Sequence, residues 1–189
     1  MDTSTYAVKV SAGQLVDGDS VYLSRDRIQD VAAPLEVHLT EPARAGAVAR
    51  YADRTGLDIV GAHFPRIGGS ERPARSGDLQ EFLTAAAPMD LEYAEVHPPA
   101  ASGGVALEEY VEELQEARES SAFEGELLVE NVWIGTEGES LLRTVQDVER
   151  FGEVRRERNA DRIGMVLDPN HARNPDAMLQ AGADFLYNV

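Results

Sequence analysis

Short apolar runs punctuate this chain at intervals, with helical patterns between most of them. The runs are "YAVKVS" (6–11), "LEVHLT" (35–40), "LDIVGAHF" (57–64), "LEYAEVH" (91–97), "ELLVEN" (126–131), "RIGMVLD" (162–168) and "ADFLYNV" (183–189). Their length and their content of Val, Ile, Leu and aromatics fit strands buried on both faces. Ala47, Val48, Tyr51 and Ala52 share one helical face ahead of Gly56. Leu107, Tyr110, Val111 and Leu114 form a second stripe, and Leu141, Val145, Val148 and Phe151 a third. Asn174-Pro175-Asp176 reads as N-cap, first-turn proline and dipole-matched acid, with Gly182 closing a short last helix. The segment 12–34 predicts a helix around 24–32. The stretch 64–78, with Pro65, Gly68, Gly69, Pro73 and Gly77, reads as an active-site loop rather than a linker. No composition shift marks a boundary, so a single domain over 1–189 is expected.

Strands alternating with helices imply a parallel sheet joined by right-handed crossovers. Two α/β architectures satisfy that: an open doubly wound sheet or a (β/α) barrel. The polar residues decide between them. All four histidines, His38, His63, His97 and His171, fall at or just after strand ends. Glu130 and Asp168 do the same. In a barrel every strand C-terminus opens on one mouth, so these residues would converge. In an open sheet they would be strung along an edge. The barrel is therefore the expected fold.

Each position also has a plainer reading. Asp168 could open a turn through Pro169 and Asn170, and His171 could be a solvated loop residue. Glu130 could sit in a structural ion pair. His63 and His97 could be core or loop histidines, and His38, alternating with apolar neighbours, reads as a packing residue. Glu36 and Glu95 could line the barrel or pair with Arg. The "RRER" at 155–158 reads as a solvated helix end without chemistry. "GGS" at 68–70 and "SGG" at 102–104 are too short for a dinucleotide fingerprint.

Charge narrows the function. The net charge is −17, and the cations comprise sixteen arginines and a single lysine, Lys9. Such a surface predicts a halophilic cytoplasmic protein whose self-repulsion concentrated salt screens. It lacks the basic footprint of a nucleic-acid binder. With no cysteine, disulfides, thiolate metal sites and a Cys nucleophile are excluded. No run is long enough to span a membrane and no leader pattern opens the chain, so a soluble, unprocessed protein is expected.

"GAHFP", "EVHPP", "LLVEN" and "LDPNHA", in this order after successive strands, resemble the xylose isomerase-like TIM barrel superfamily. Its members include sugar phosphate isomerases and epimerases and the endonuclease IV family. The resemblance is clear over 57–189 and looser over 1–56. It implies Glu130 and Asp168 as ligands of a divalent metal. His171 is implied as a substrate contact in the sugar enzymes or a zinc ligand in endonuclease IV. His63 and His97 are implied as zinc ligands or pocket residues. These barrels also draw a histidine from strand seven and a glutamate from strand eight, and this sequence has neither. The expectation is an incomplete TIM-type barrel of about seven parallel strands with strand eight missing. At 189 residues the chain lies below the roughly 200-residue floor of such barrels. A truncated product, a short barrel closed by a homo-oligomer or partner chain, and an inactive remnant would each account for that.

The mixed imidazole and carboxylate set suits Mn²⁺, Co²⁺, Zn²⁺ or Fe²⁺. The resemblance implies an isomerase or epimerase acting on a sugar or sugar phosphate through an enediolate. Glu130 would be ligand and general base, and His171 would hold a hydroxyl or the developing oxyanion. The rival reading is zinc-dependent cleavage at abasic DNA sites using His63, His97, Glu130, Asp168 and His171.

Overall fold

In the computed structural model, residues 7–16, 33–64, 76–99, 104–131, 142–172 and 174–187 are described. Their strands are β1 (Val8–Ser11), β2 (Leu35–His38), β3 (Ile59–Phe64), β4 (Tyr93–Val96), β5 (Glu126–Glu130), β6 (Ile163–Val166) and β7 (Leu186–Tyr187). They form one sheet in the order β1-β2-β3-β4-β5-β6-β7, with every neighbouring pair parallel. Helices follow: α1 (Ala12–Val16), α2 (Ala45–Thr55), α3 (Ser76–Ala86), α4 (Leu107–Glu119), α5 (Val145–Glu157) and α6 (Pro175–Ala181).

The sheet is curled, and one ion pair demonstrates it. Three strand spacings separate β1 from β4, about 14 Å if the sheet were flat. Yet Lys9 Nζ on β1 lies 3.2 Å from Glu95 Oε1 on β4. The register sets Glu95 level with Ser11, two residues beyond Lys9, so on a flat sheet even a fully stretched lysine and glutamate would fall short of each other, and the contact points to strands that bend around an interior. Among the described residues β7 pairs only with β6 and β1 only with β2. The expected incomplete barrel is borne out.

Alternation along each strand sorts the residues into two faces. Leu35, Val37, Ala62, Phe64, Ala94, Val96, Leu127, Val129, Ile163 and Met165 join one buried cluster with Tyr51, Leu83, Tyr110, Leu114, Val148 and Phe151 of the helices. Burying each large side chain there contributes about 1.5–3 kcal/mol before entropy is charged against it. The opposite face carries the polar residues, with Tyr93 and Leu128 among them. The register aligns Lys9 with Glu36, Ser11 with His38, His38 with His63, and His63 with Glu95.

Local signals set the helix ends. Thr144 caps α5: its Oγ1 accepts from Asp147 N at 3.2 Å, and Asp147 Oδ2 accepts from Thr144 N at 2.7 Å. Gly56, at φ 69°, ends α2 in the left-handed conformation that favours glycine. Asn174 accepts from Ala177 N ahead of Pro175, as its sequence predicts. The third apolar stripe begins at Val145 in the structure, and Leu141 lies outside the described residues, as does the helix expected at 24–32. The loop expected over 64–78 is corrected at both ends, where Phe64 belongs to β3 and 76–78 to α3, and 65–75 lie outside the described residues.

The solvated reading of "RRER" is corrected at Arg155, which is not a free charge. Its Nε donates to Ile163 O at 2.5 Å, its Nη2 donates to Asp161 O at 2.7 Å, and its guanidinium lies 6.0 Å from the Phe185 ring centroid. It ties the end of α5 to the start of β6.

Candidate metal centre at the barrel mouth

Parallel strands in register bring their C-terminal ends to one rim, and the polar residues follow. His38 ends β2, His63 is the penultimate residue of β3, His97 follows β4, and Glu130 ends β5. Asp168 stands two residues past β6, and a turn closed by His171 N donating to Asp168 O at 3.1 Å swings His171 back over the mouth.

The imidazoles form a line. His63 Nδ1 is 3.3 Å from His38 Nε2, and His63 Nε2 is 2.9 Å from His97 Nε2. His97 Nε2 is 3.2 Å from Glu130 Oε2, and His63 Nε2 is 3.7 Å from the same oxygen. On the far side of Glu130, His171 Nδ1 lies 3.9 Å from Oε1 and 3.3 Å from Asp168 Oδ2. Among the described residues three sets of donor atoms, each within 4.8 Å of one another, result: Glu36–His38–His63, His63–His97–Glu130 and Glu130–Asp168–His171. His63 and Glu130 each belong to two sets.

Asp168 performs the plain role and the pointed one with different oxygens. Its Oδ1 accepts from Asn170 N at 2.7 Å and from Asn170 Nδ2 at 2.9 Å, which builds the turn. Its Oδ2 faces His171.

Electrostatics separates the groups. Burial, then the charges of His97 and Lys9, lower His63 to about 3, so its ring is neutral and carries a lone pair. Burial likewise lowers His38. Burial alone would raise Glu130, but hydrogen bonds from His97 and Glu95, and the pull of the His63 and His97 rings once they are protonated, bring it to about 2. Glu95 goes the other way: burial and then Glu36 push it up to about 9, against the pull of Lys9. In the metal-free protein Glu95 therefore holds a proton beside an ionised Glu130.

The residues fit a divalent cation. His171 Nδ1 is buried and makes no hydrogen bond, although two carboxylate oxygens face it. A cation among these atoms would satisfy that nitrogen and balance the carboxylates, which is the donor chemistry of Zn²⁺ and its neighbours in the transition series.

Of the residues singled out from sequence, His63, His97, Glu130, Asp168 and His171 come together here. His38 is corrected: it does not pack among apolar neighbours but touches His63, with 37% of its side chain exposed. Glu36 and Glu95 line the interior, and they pair with Lys9, not Arg. Sequence reasoning gives Asn131 and Lys9 no role. Asn131 could have been found as the residue after the strand-ending glutamate in "LLVEN". Lys9 could have been found by the alternation that places it opposite Val8 and Val10 in β1.

A parallel (β/α) barrel short of one strand among the described residues, with overlapping sets of imidazole and carboxylate donors at its mouth, defines the class as incomplete (β/α) barrels. Comparison with solved structures places the fold within it. The chain is similar to 3-keto-D-glucoside 4-epimerase from E. coli, at TM-score 0.64 and 13% identity over 89% of this chain and 74% of that one. It is similar to endonuclease IV from Thermus thermophilus, at TM-score 0.59 and 20% identity over 94% of this chain and 72% of that one. It is also similar to a sugar phosphate isomerase/epimerase from Parabacteroides distasonis, at TM-score 0.55 and 12% identity over 98% and 75% of the two chains. No family model and no curated protein matches the sequence. The chain has the fold of the xylose isomerase-like barrels.

Proposed function

We propose that this protein is a divalent-metal-dependent isomerase or epimerase of a sugar or sugar phosphate. The observation that carries the reading is the meeting of Glu130, Asp168 and His171 within 4.8 Å at the barrel mouth. Glu130 and Asp168 would hold the cation. Bound there, it would supply positive charge to adjacent oxygens of a hydroxy-carbonyl substrate and so favour an enediolate.

The chain's own residues would do the rest. Glu130 is ionised and 10% exposed at its side chain, a carboxylate able to take a proton from the carbon beside the carbonyl. His171, 34% exposed, reaches the mouth from the turn and would donate to a substrate oxygen. Glu95, fully buried behind Glu130, takes no role at the substrate but keeps its proton against Glu130. The net charge of −17 favours a small substrate over a polyanion.

A second reading is metal-dependent phosphodiester cleavage at abasic sites. His63, His97 and Glu130 favour it, because two histidines and a glutamate form a complete three-ligand set of the kind catalytic zinc uses.

One experiment separates the two. Metal-free protein in high salt is loaded with Mn²⁺, Co²⁺, Zn²⁺ or Fe²⁺ and given either a panel of aldoses, ketoses and their phosphates in deuterated water or an oligonucleotide with an abasic site. Deuterium entering the sugar, abolished in Glu130→Gln, supports the isomerase reading. Strand cleavage with no deuterium uptake overturns it in favour of the second.

A further inference from the structure

Below the histidine line lies a charged group that the proposed metal centre does not use. Lys9 Nζ stands 3.2 Å from Glu36 Oε1 and 3.2 Å from Glu95 Oε1. Both glutamate side chains are fully buried, while that of Lys9 is 47% exposed. Lys9 is also the only lysine of the chain, against sixteen arginines. A lysine ammonium is a compact point charge with three rotatable donors, whereas a guanidinium is a wide planar fork. The one position where the sequence departs from arginine is the one where a small cation sits between two buried glutamates.

Glu36 is not satisfied by this contact. Its Oε2 accepts from the Tyr93 hydroxyl at 2.9 Å, but its fully buried Oε1 accepts no hydrogen bond. That oxygen is 4.0 Å from His38 Nε2, which in turn is 3.3 Å from His63 Nδ1. Donor atoms of Glu36, His38 and His63 lie within 4.8 Å of one another. A buried carboxylate oxygen that makes an ion pair but no hydrogen bond, beside imidazole nitrogens, belongs to a set of ligands for a divalent cation. An ammonium already stands at its edge, and a doubly charged ion could not share that place with it.

We propose that Glu36 and His38, bordered by His63 and Glu95, form a second divalent-cation site whose place is held by the Lys9 ammonium. Lys9 thereby sets how many metal ions the barrel mouth accepts. A buried Glu36 carboxylate without a cation beside it would be costly, and Lys9 supplies that cation covalently. Its half-exposed stem leaves it removable by substitution without opening the core. His63 turns Nδ1 toward this site and Nε2 toward His97, so one ring borders both sites.

The test counts zinc. Metal-free full-length protein in molar KCl is equilibrated with ZnCl₂, passed through a desalting column and analysed for bound zinc per chain. Wild type is compared with Lys9→Ala, Lys9→Met, Lys9→Arg and the double variant Lys9→Ala with Glu36→Gln. Lys9→Ala and Lys9→Met are expected to hold one zinc more than wild type, and Lys9→Arg and the double variant the same number as wild type. Zinc should also raise the melting temperature of Lys9→Ala more than that of wild type. Unchanged stoichiometry in both Lys9→Ala and Lys9→Met overturns the proposal. So does an extra zinc that survives Glu36→Gln, and so does failure of both uncharged variants to fold even when refolded with zinc. Because the readout is the difference from wild type, it stands apart from the centre proposed above. Zinc-free wild type with a zinc-binding Lys9→Ala would remove that centre and leave this site, and the reverse pattern would do the opposite.

Discussion

Asn131 grips both backbone groups of Asp168. Its Oδ1 accepts from Asp168 N at 2.5 Å and its Nδ2 donates to Asp168 O at 3.0 Å. Asn131 is 2% exposed and directly follows Glu130. One amide thus fixes the spacing between the ends of β5 and β6, the two strands that deliver Glu130 and Asp168. Replacing it with alanine removes both bonds and leaves a backbone N–H and C=O without these partners, at about 1–3 kcal/mol of stability. Loosening a residue that orients ligands typically costs about 10–100-fold in metal affinity. Asn131→Ala is therefore expected to bind zinc about that much more weakly in a chelator competition. Asn131→Asp, which keeps the acceptor and loses the donor, should fall between. Wild-type affinity in Asn131→Ala would show that the clamp does not shape the site.

How legible this was in the sequence depends on range. The strand ends at Glu130 and His63, and the turn that holds Asp168 just past β6, follow from local pattern, because alternation and a terminating turn are written in neighbouring residues. The cap at Asn174 is local in the same way. The Lys9–Glu95 contact joins residues 86 positions apart and exists only because the sheet curls, so no window of sequence contains it. His38 misleads for the same reason: its neighbours in "LEVHLT" are apolar, but its partner lies on β3. Arg155 reads as solvated because its acceptors, on Asp161 and Ile163, are backbone carbonyls, which leave no trace in residue type.

Gly61 exists to let Tyr93 pass. A Cβ at position 61 would lie 2.2 Å from Tyr93 Cζ and 2.6 Å from its hydroxyl oxygen. Tyr93 crosses β3 at this gap to donate to Glu36 on β2. Gly61→Ala must push the ring aside and break that bond. The expected loss is about 1–3 kcal/mol for overpacking, with about 1–3 kcal/mol more for the buried carboxylate oxygen left bare. Tyr93→Phe should show only the second part. Urea denaturation of the single variants and of Gly61→Ala with Tyr93→Leu checks this: the double variant should recover much of the overpacking loss. Wild-type stability in Gly61→Ala would contradict the packing described.

Metal-free protein should lose stability on both sides of a mildly acidic plateau. Glu95 sits at about 9 in the folded state against an ordinary value of 4.5. Between those values the folded protein keeps a proton that the unfolded chain releases, so its contribution is full below 4.5 and is lost as pH rises toward 9. His63 sits at about 3 against 6.5. There the unfolded chain takes the proton first, so its contribution is full above 6.5 and is lost as pH falls toward 3. Glu130, held at about 2, adds to the acid limb below 4.5. The Glu95 and His63 slopes oppose each other between 4.5 and 6.5, which gives the plateau. Urea midpoints measured across pH on chelator-treated protein test the shape. Glu95→Gln, which stays neutral throughout, should erase the alkaline limb; an unchanged limb in that variant would assign it to another group.

The proposal of salt adaptation predicts a stability that climbs with KCl, and α4 supplies a place to test it. Glu109, Glu113 and Glu116 stand three and four residues apart on this helix. Glu113 is raised by burial and then by the charges of Glu109 and Glu116. Like charges at this spacing destabilise a helix by about 0.2–0.5 kcal/mol per pair at low salt, and molar salt shortens the Debye length to about 3 Å and screens them. Other acids on α4 are engaged: Glu108 pairs with Arg150, and Glu112 with Arg158 at 2.8 Å. Replacing Glu113 by glutamine therefore removes both repulsions while keeping those pairs and the first-turn acids Glu108 and Glu109. Glu113→Gln should melt roughly 1–3 °C higher than wild type at low salt, given about 2–4 °C per kcal/mol for a chain of this size. In molar KCl the two should coincide, because screening has already silenced the repulsion. A wild-type melting temperature indifferent to KCl would place the acidic surface outside salt adaptation.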